Sequence, residues 1–417
     1  MYRRIRKCRV CGNPDLVPVV DLGEQYLTGV FPRQPSADAV TKGPLRLVKC
    51  HDGENACDLL QLEHTYDLEE LYGANYGYRS GLNASMVRHL HAKVARIRNA
   101  VELQRGDLVV DIGSNDGTTL GAYPADLLLV GIDPTGEKFR NYYAGHVKLI
   151  PGFFSADLLT RAFPGRKAKV VTSFSMFYDL ESPLDFAREV ASVLDPVEGI
   201  WVLEQSYMPL MMERNSYDTI CHEHLEYYGL KQIAWLAERA GLKIVDVEIN
   251  DVNGGSFSVT AAPLGSRRTD VHGIVARMLA DEKAAGLSDL APYQAFYNRI
   301  EQSRRALRDF VADVRGHGKR LCGLGASTKG NVVLQYCRFN AGDIEAIGDV
   351  NPDKFGAFTP GTWIPIAPEA GVLASSPDYL LILPWHFREF FLRNPALAGR
   401  RLVFPLPQLE VVIPQGR

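Results

Sequence analysis

The sequence predicts an α/β protein in which a short cysteine-bearing segment precedes two blocks of alternating strands and helices. Three observations carry that reading. Cys8, Cys11, Cys50 and Cys57 all fall before residue 58. From residue 108 onward, short apolar runs that read as buried strands alternate with amphipathic helical stretches. The same alternation starts again at Lys319. Such alternation means a parallel sheet covered by helices on both faces. At 417 residues the chain holds two or three domains, since a single core rarely exceeds ~100–200 residues.

Composition narrows the class. Apolar residues make up 46% and charged residues 23%, an ordinary globular balance. A net charge of −3 lacks the basic surplus of a nucleic-acid binder. No apolar run reaches the ~20 residues of a membrane helix, and the start, MYRRIRKCRVCG, lacks the apolar segment of a secretion signal. The expectation is a cytoplasmic protein, monomer or weak homodimer, with neither nucleic acid nor membrane as partner. The seven cysteines are odd in number and unevenly spread, which points to metal binding or packing rather than disulfides.

In chain order, Cys8 and Cys11 form a C-x2-C knuckle, and Cys50 and Cys57 close the segment in CHDGENAC. Two cysteine pairs suit a tetrahedral zinc ion, and four thiolates leave no open position, so its role is structural. The alternative is that Cys50 and Cys57 are small core residues. Next, Met86, Leu90, Val94, Ile97 and Val101 recur at helical spacing. The run Leu108–Ile112 reads as a buried strand, and DIGSNDGTTL as a tight turn opening a helix. LLLVGIDP is a second strand ending in Asp133, KVVTSFSMFYDL a third, LDFAREVASVL a helix and GIWVLEQSY a fourth strand. Residues 271–318 read helical, with Tyr293, Phe296, Ile300, Leu307, Phe310 and Val314 as the apolar stripe. The second block runs through RLCGLGASTKGNVVLQY, a strand ending in Asp349, and YLLILPWHF, with Trp385 and His386 at its carboxyl end.

Three motifs carry chemistry. In an open parallel sheet, ligands bind beyond the carboxyl ends of the strands. DIGSNDG sits at such an end: Gly113 lets the backbone approach a ligand, Asp111 can orient the loop, and Asp133, 22 residues on, can take two ribose hydroxyls. Asn115 and Asp116 occupy the place where a dinucleotide would set its pyrophosphate, and Asp116 would repel it. An adenosyl ligand with a cationic sulfonium and no phosphate fits better, which is S-adenosylmethionine. The turn GLGASTKGN differs: Ser327, Lys329 and Asn331 bring donors and a cation to a helix N-terminus, suited to a phosphate or diphosphate. An ordinary helix cap with an exposed lysine is the plainer reading.

The third motif is NSYDTICHEHLEYYGL. His222 and His224 stand two apart, so they cannot share a helix face as a zinc-protease pair does. On an extended chain they would. One histidine as base, Glu223 to tune it and nearby tyrosines to bind an oxyanion would make a proton-transfer site. A buried polar network remains equally open from these residues alone.

Taken together, the paired cysteines, YGANYGYRSGLN, DIGSNDGTTL, ESPLDFAREV, LEQSYMP, YDTICHEHLEYYGL, GASTKGN and LPWHF occur in an order that resembles the sugar C-methyltransferases acting on nucleotide-linked 4-keto-6-deoxy sugars. The resemblance covers essentially the whole chain. It implies a small zinc-binding domain (1–66), a central Rossmann-like class I S-adenosylmethionine methyltransferase domain (67–264) and a C-terminal α/β Rossmann-like domain (265–417) that helps to hold the nucleotide sugar. It implies His224 as base, with Glu223, Tyr76 and Tyr78 around the sugar. The expected cofactor set is Asp111, Gly113, Asn115, Asp116 and Asp133, joined by Phe154 and Ser173. The expected substrate set is His222, Ser327, Lys329, Asn331, Trp385 and His386. Two departures stand out: the family's tyrosine before H-E-H is here Cys221, a weak donor, and the second cysteine pair is C-x6-C rather than C-x2-C. The implied reaction is methylation at carbon 3, beside the ketone. Rivals are O-methylation, a nicotinamide enzyme using GLGAST, and a non-catalytic methyltransferase-like module. Activity on a non-keto sugar would favour the first and a nicotinamide absorbance change the second. The intact Asp111, Asp133, Glu223 and His224 weigh against the third.

Overall fold

The computed structural model describes the whole chain except residues 1, 38–39, 54–55, 68–69, 72–77, 271 and 416–417. Tyr76 therefore lies outside the described residues.

The N-terminal segment is antiparallel. Strand β1 (Tyr2–Arg4), β2 (Leu16–Tyr26), β3 (Lys42–Cys50), β4 (Leu60–Leu62) and β5 (His64–Tyr66) follow in order. β1 pairs with β5, while β2, β3 and β4 form a sheet. That sheet takes its fourth strand from far along the chain: β11 (Glu226–Tyr227) lies against β4, with Glu226 opposite Gln61 and Tyr227 opposite Leu60. Leu62 N–H donates to the Leu225 carbonyl at 2.8 Å, extending the seam.

The central block is a seven-stranded sheet. Its strands are β6 (Leu108–Ile112), β7 (Leu128–Asp133), β8 (Lys148–Pro151), β9 (Ala168–Phe174), β10 (Ile200–Ser206), β12 (Leu242–Asn250) and β13 (Ser256–Pro263). Their order is β8-β7-β6-β9-β10-β13-β12, with β13 antiparallel to both neighbours. β6 is buried throughout, which explains its unbroken apolar run apart from Asp111. The helix Ala84–Ala100 opens with Asn83, whose side chain accepts from Ser85 N–H, and buries Leu90, Val94 and Ile97 on the sheet. The strand order reverses between β6 and β9, and a ligand crevice forms at such a switch point.

The C-terminal block has β14 (Leu321–Leu324), β15 (Ile347–Asp349), β16 (Ile366–Pro368), β17 (Tyr379–Ile382), β18 (Leu402–Phe404) and β19 (Glu410–Val412). Their order, β16-β15-β14-β17-β18-β19, is the 3-2-1-4-5-6 arrangement of a Rossmann sheet, with the last strand reversed. The helix Ala291–Gly316 leads into it and buries Tyr293, Phe296, Ile300, Leu307, Val311 and Val314. Val311 takes the place expected for Phe310, which stays half-buried and meets Tyr379 edge-on at 5.4 Å.

Two apolar clusters join the three blocks. One runs from Val20, Leu45 and Leu47 through Tyr293 and Phe296 to Leu321 and Leu334. The other runs from Cys8, Cys50 and Leu59 through Tyr228 and Leu230 to Trp201 and Val110. Among the described residues, no helix is long and apolar enough to cross a membrane.

Candidate active site

The four N-terminal cysteines converge. Cys8 Sγ lies 3.5 Å from Cys57 Sγ, and Cys11 Sγ 3.5 Å from Cys50 Sγ. All four sulfurs fall within 4.8 Å of one another. A zinc ion with Zn–S bonds of ~2.3 Å sets its sulfurs ~3.8 Å apart, so the cluster fits a ZnS4 centre. The knuckle turn is held by Cys8 N–H to the Asn13 carbonyl and Gly12 N–H to the Cys8 carbonyl. Asn13 Nδ2 reaches Cys50 Sγ at 3.5 Å. The wider C-x6-C spacing is absorbed by the loop after β3, where Asp52 and Asp58 take positive φ.

The second site lies at the carboxyl ends of β6 and β9. Gly113 adopts φ +74°, and a β-carbon there would stand 3.0 Å from Met176 Cγ, so the turn is pressed against the residues that follow β9. Asn115 takes φ +51°. Tyr143 braces the turn, its hydroxyl lying 2.8 Å from Ser114 Oγ and donating to the Asn115 carbonyl. Asp133 Oδ2 accepts the Asn115 N–H at 2.8 Å, and Oδ1 accepts the backbone and hydroxyl of Thr135. The side chains of Asn115 and Asp116 are turned onto the segment before the first long helix: Asn115 Oδ1 accepts Ser80 N–H and Asp116 Oδ2 accepts Gly81 N–H. Asp111 is fully buried beneath the turn, bonded by the Thr172 hydroxyl, and burial pushes its carboxyl up to about 7. Three carboxylates therefore gather here, and the turn 113–117 carries no lysine or arginine. That donor set suits a cationic adenosyl ligand. Phe154, half-buried after β8, packs edge-on against Phe186 at 5.4 Å.

The H-E-H residues adjoin this crevice. β9 continues into Met176, which touches Gly113, and then into Tyr178. The Tyr178 ring lies 4.3 Å from the His224 ring, and its carbonyl accepts Leu225 N–H. His224 Nδ1 stands 2.9 Å from the Thr219 carbonyl. A carbonyl can only accept, so Nδ1 carries the proton and Nε2 the lone pair. Burial and the Lys329 cation push His224 down to about 3, so the ring is neutral at working pH. Glu223 faces Thr28 and Gly29, which sit between β2 and β3. The Thr28 hydroxyl donates to Oε2 at 3.3 Å, and the Gly29 N–H and Cys221 thiol point at the same carboxylate. Burial nonetheless raises the Glu223 carboxyl above its ordinary range.

On the far wall, the N-terminus of the helix Thr328–Tyr336 meets Gly29. A β-carbon on Gly29 would lie closer than 3.0 Å to Glu223 Oε1 and 3.6 Å from Thr328 Oγ1. Lys329 Nζ donates to the Asn253 carbonyl at 2.6 Å. Trp385 Nε1–H donates to Asp218 Oδ2 at 2.8 Å, and the buried Asp218 Oδ1 has no partner among the described residues. His386 stands beside them, pushed down to about 3 by burial and by Lys329.

Several expected residues take other places. Residues 221–224 form a turn, with His224 N–H donating to the Cys221 carbonyl, not an extended run. His222 therefore points away from His224, into the N-terminal block, where its ring meets Tyr66 edge-on at 4.6 Å. Asn331 is fully buried and donates to the Thr28 carbonyl at 2.7 Å, tying two blocks together rather than facing the cleft. Ser327 caps its helix, accepting Gly330 N–H. Ser173 is enclosed, its hydroxyl accepting the Trp201 indole N–H at 2.9 Å. Tyr78, 50% exposed, sits at the cofactor turn, where its carbonyl accepts Asn115 Nδ2. Thr28, Gly29, Asp218, Thr219, Tyr178 and Asn253 were not singled out from the sequence. Asp218 and Thr219 lay within a quoted motif, but only the tertiary contacts reveal their use. Gln205, fully buried at the end of β10, has neither amide atom partnered among the described residues.

The reversed seventh strand and the acidic glycine turn at the switch point define a class I S-adenosylmethionine-dependent methyltransferase. Family profiles divide the chain in the same sense: a zinc binding domain matches residues 8–72, a methyltransferase domain 86–247 and a C-methyltransferase C-terminal domain 251–407. C-methyltransferase NovU of Streptomyces niveus is 32% identical over 99% of this chain and 98% of its own length. The chain belongs to the C-methyltransferase family, with S-adenosylmethionine and structural zinc as its cofactors. Among solved structures it is similar to magnesium protoporphyrin IX methyltransferase of Synechocystis PCC 6803 with bound S-adenosylhomocysteine (16% identity, 43% of this chain and 82% of that one, TM-score 0.32). It is also similar to the mitomycin 7-O-methyltransferase MmcR (16% identity, 44% and 55%, TM-score 0.34). Likenesses this weak assign no property.

Proposed function

We propose that the protein transfers a methyl group to carbon 3 of a nucleoside-diphosphate-linked 4-keto-6-deoxy sugar. The observation that carries this reading is the state of His224: its Nδ1 proton is fixed on the Thr219 carbonyl, and Nε2 is left as a neutral base beside the end of β9. A ketone at carbon 4 acidifies the neighbouring C–H bond, so a base so placed can act on it. Nε2 takes the carbon 3 proton, and the bond pair passes into an enolate. Such general-base help contributes ~10²–10⁴-fold. Glu223, gripped by Thr28 and Gly29, orients a sugar hydroxyl or the base. S-adenosylmethionine, when bound at the β6 turn, supplies an electrophilic methyl on sulfur and departs as S-adenosylhomocysteine. The nucleotide would lie on the C-terminal block, across the cleft from the cofactor, as the resemblance implies. Holding both reactants in line can supply ~7–11 kcal/mol of the barrier.

The test is to incubate the protein with S-adenosylmethionine and a panel of nucleotide 4-keto-6-deoxy sugars, with mass spectrometry and carbon NMR of any product. A methyl on carbon 3 is expected. A methyl on oxygen would replace this reading with O-methylation, and no methylation with the cofactor still bound would refute it. His224→Ala is expected to keep cofactor binding and lose turnover.

A further inference from the structure

Lys329 was expected at a phosphate, but the turn around it is not open. The β-position of Gly325 is blocked by Pro384 at 2.6 Å and that of Gly330 by Leu383 at 2.8 Å. Ser327 is the helix cap and Asn331 holds Thr28. The residues that would cradle a diphosphate are thus engaged within the protein, and the space between this turn and the end of β17 is filled.

Lys329 itself reaches the other way. The first turn of its helix abuts Gly29, whose other neighbour is Glu223. Its ammonium is anchored by one hydrogen bond to the Asn253 carbonyl, which leaves two N–H donors. Asn253 is held at φ +55°, and the α-carbon of its neighbour Gly254 faces Ser216 and His386, whose Oγ and Cβ lie 3.7 and 4.0 Å from its β-position. Around this point Asp218 Oδ1, Ser216 Oγ and His386 Nδ1 are buried without a hydrogen-bond partner among the described residues. Asp218 and Ser216 are 1% and 2% exposed, shielded from bulk water. A buried polar group without a partner is costly unless a ligand completes it. The field agrees: Lys329 acts on His224 and His386, and Asp218 acts on Lys329.

We propose that Lys329 is a catalytic residue whose ammonium donates to the carbonyl oxygen of the keto sugar and stabilises the enolate that His224 forms. Of the tyrosines in and around the H-E-H motif, Tyr207 and Tyr217 are engaged elsewhere. Tyr207 donates to Glu282 and Tyr217 lies against Tyr336; Tyr228 lies against Phe177, and the buried Tyr227 and Tyr228 hydroxyls have no partner among the described residues. The step balances within the site. Nε2 of His224 takes a proton from carbon 3, the C–H pair becomes the C3–C4 double bond, and the carbonyl π pair moves to the oxygen facing Lys329. The carbon 3 pair then forms the new C–C bond as the methyl–sulfur bond breaks and its pair stays on sulfur. The imidazolium proton leaves to solvent. Burial lowers the Lys329 ammonium, and Asp218, held by Trp385, opposes that shift.

This assignment rests on the keto-sugar reading, and one experiment separates the two. The zinc-loaded protein, with S-adenosylhomocysteine in the cofactor site, is given the keto sugar in heavy water, and deuterium uptake at carbon 3 is followed by NMR. The wild type should exchange. Lys329→Met should lose exchange and methyl transfer together, by 10²–10³-fold in kcat with KM changed only several-fold, as when an oxyanion donor is removed. Lys329→Arg should recover part of the exchange. Unchanged cofactor affinity by calorimetry would show that the variants are folded. If Lys329→Met exchanges like the wild type, or raises KM by orders of magnitude at normal kcat, Lys329 holds the diphosphate and the assignment falls. If the wild type neither exchanges nor methylates any keto sugar, the substrate reading falls first and takes this one with it.

Discussion

Gly29→Ala isolates the role of Glu223 without touching it. The new β-carbon would lie closer than 3.0 Å to Glu223 Oε1, a separation side chains essentially never show, and 3.6 Å from Glu223 Cδ. Ordinary contact begins near 3.4 Å, so the carboxylate has to retreat by on the order of 0.5–1 Å. It moves away from the Gly29 amide and the Thr28 hydroxyl, two of the donors that hold it. A misplacement near 1 Å in a positioned group can cost ~10²-fold, or roughly 2.7 kcal/mol of barrier. The backbone of Gly29 is not in the left-handed region, so the substitution itself adds no strain of that kind. The expected outcome is a kcat lowered about 10²-fold, with zinc content by elemental analysis and cofactor affinity by calorimetry unchanged. The steady-state assay with the sugar identified above decides it. Turnover within twofold of wild type would refute the view that Glu223 acts from a fixed position.

Three further outcomes are expected. Elemental analysis should find one zinc per chain, and Cys57→Ser should lose the metal, lower the thermal midpoint and reduce turnover while calorimetry still shows cofactor binding. Asn331→Leu should leave the buried Thr28 carbonyl unpaired, costing ~1–3 kcal/mol in chemical denaturation, with a fall in turnover as Thr28 and Gly29 loosen. Asp111 has a folded-state pKa of about 7 against 3.8 in the unfolded chain. Its stabilisation is therefore present below about pH 4 and lost as pH rises through 7, a swing of roughly 4 kcal/mol. Asp111→Asn, which keeps an acceptor for Thr172, should gain stability relative to wild type between pH 4 and 7. Parallel stability curves for the two proteins would show that Asp111 does not hold its proton when folded.

What the sequence made legible was local. The β6 strand, its glycine turn and Asp133 lie within 26 residues of chain, and their geometry follows from strand–turn–helix chemistry. The knuckle Cys8–Cys11 is likewise a short-range pattern. What stayed hidden is brought together by tertiary contacts. The Thr28–Glu223 bond spans 195 residues and the Asn331–Thr28 bond 303. No periodicity encodes such pairs. His222 was misplaced because a turn and an extended run of four residues look alike in sequence. β12 and β13 gave no clear expectation because β12 is only half-buried along much of its length, so its alternation is faint. Val311 is buried where Phe310 was expected because a stripe at 3.6-residue spacing tolerates either neighbour.

The seam between β4 and β11 has a consequence for how this chain can be taken apart. The metal-bearing head is not a cassette. Its sheet is finished by two residues that follow the H-E-H motif after Leu225, so a fragment cut after residue 66 would expose a raw strand edge, and such edges recruit other chains. A hybrid with a relative's head would have to exchange the stretch around 217–228 with it, and the base along with that stretch. Evolutionary shuffling meets the same obstacle: the head and the base can only be inherited together.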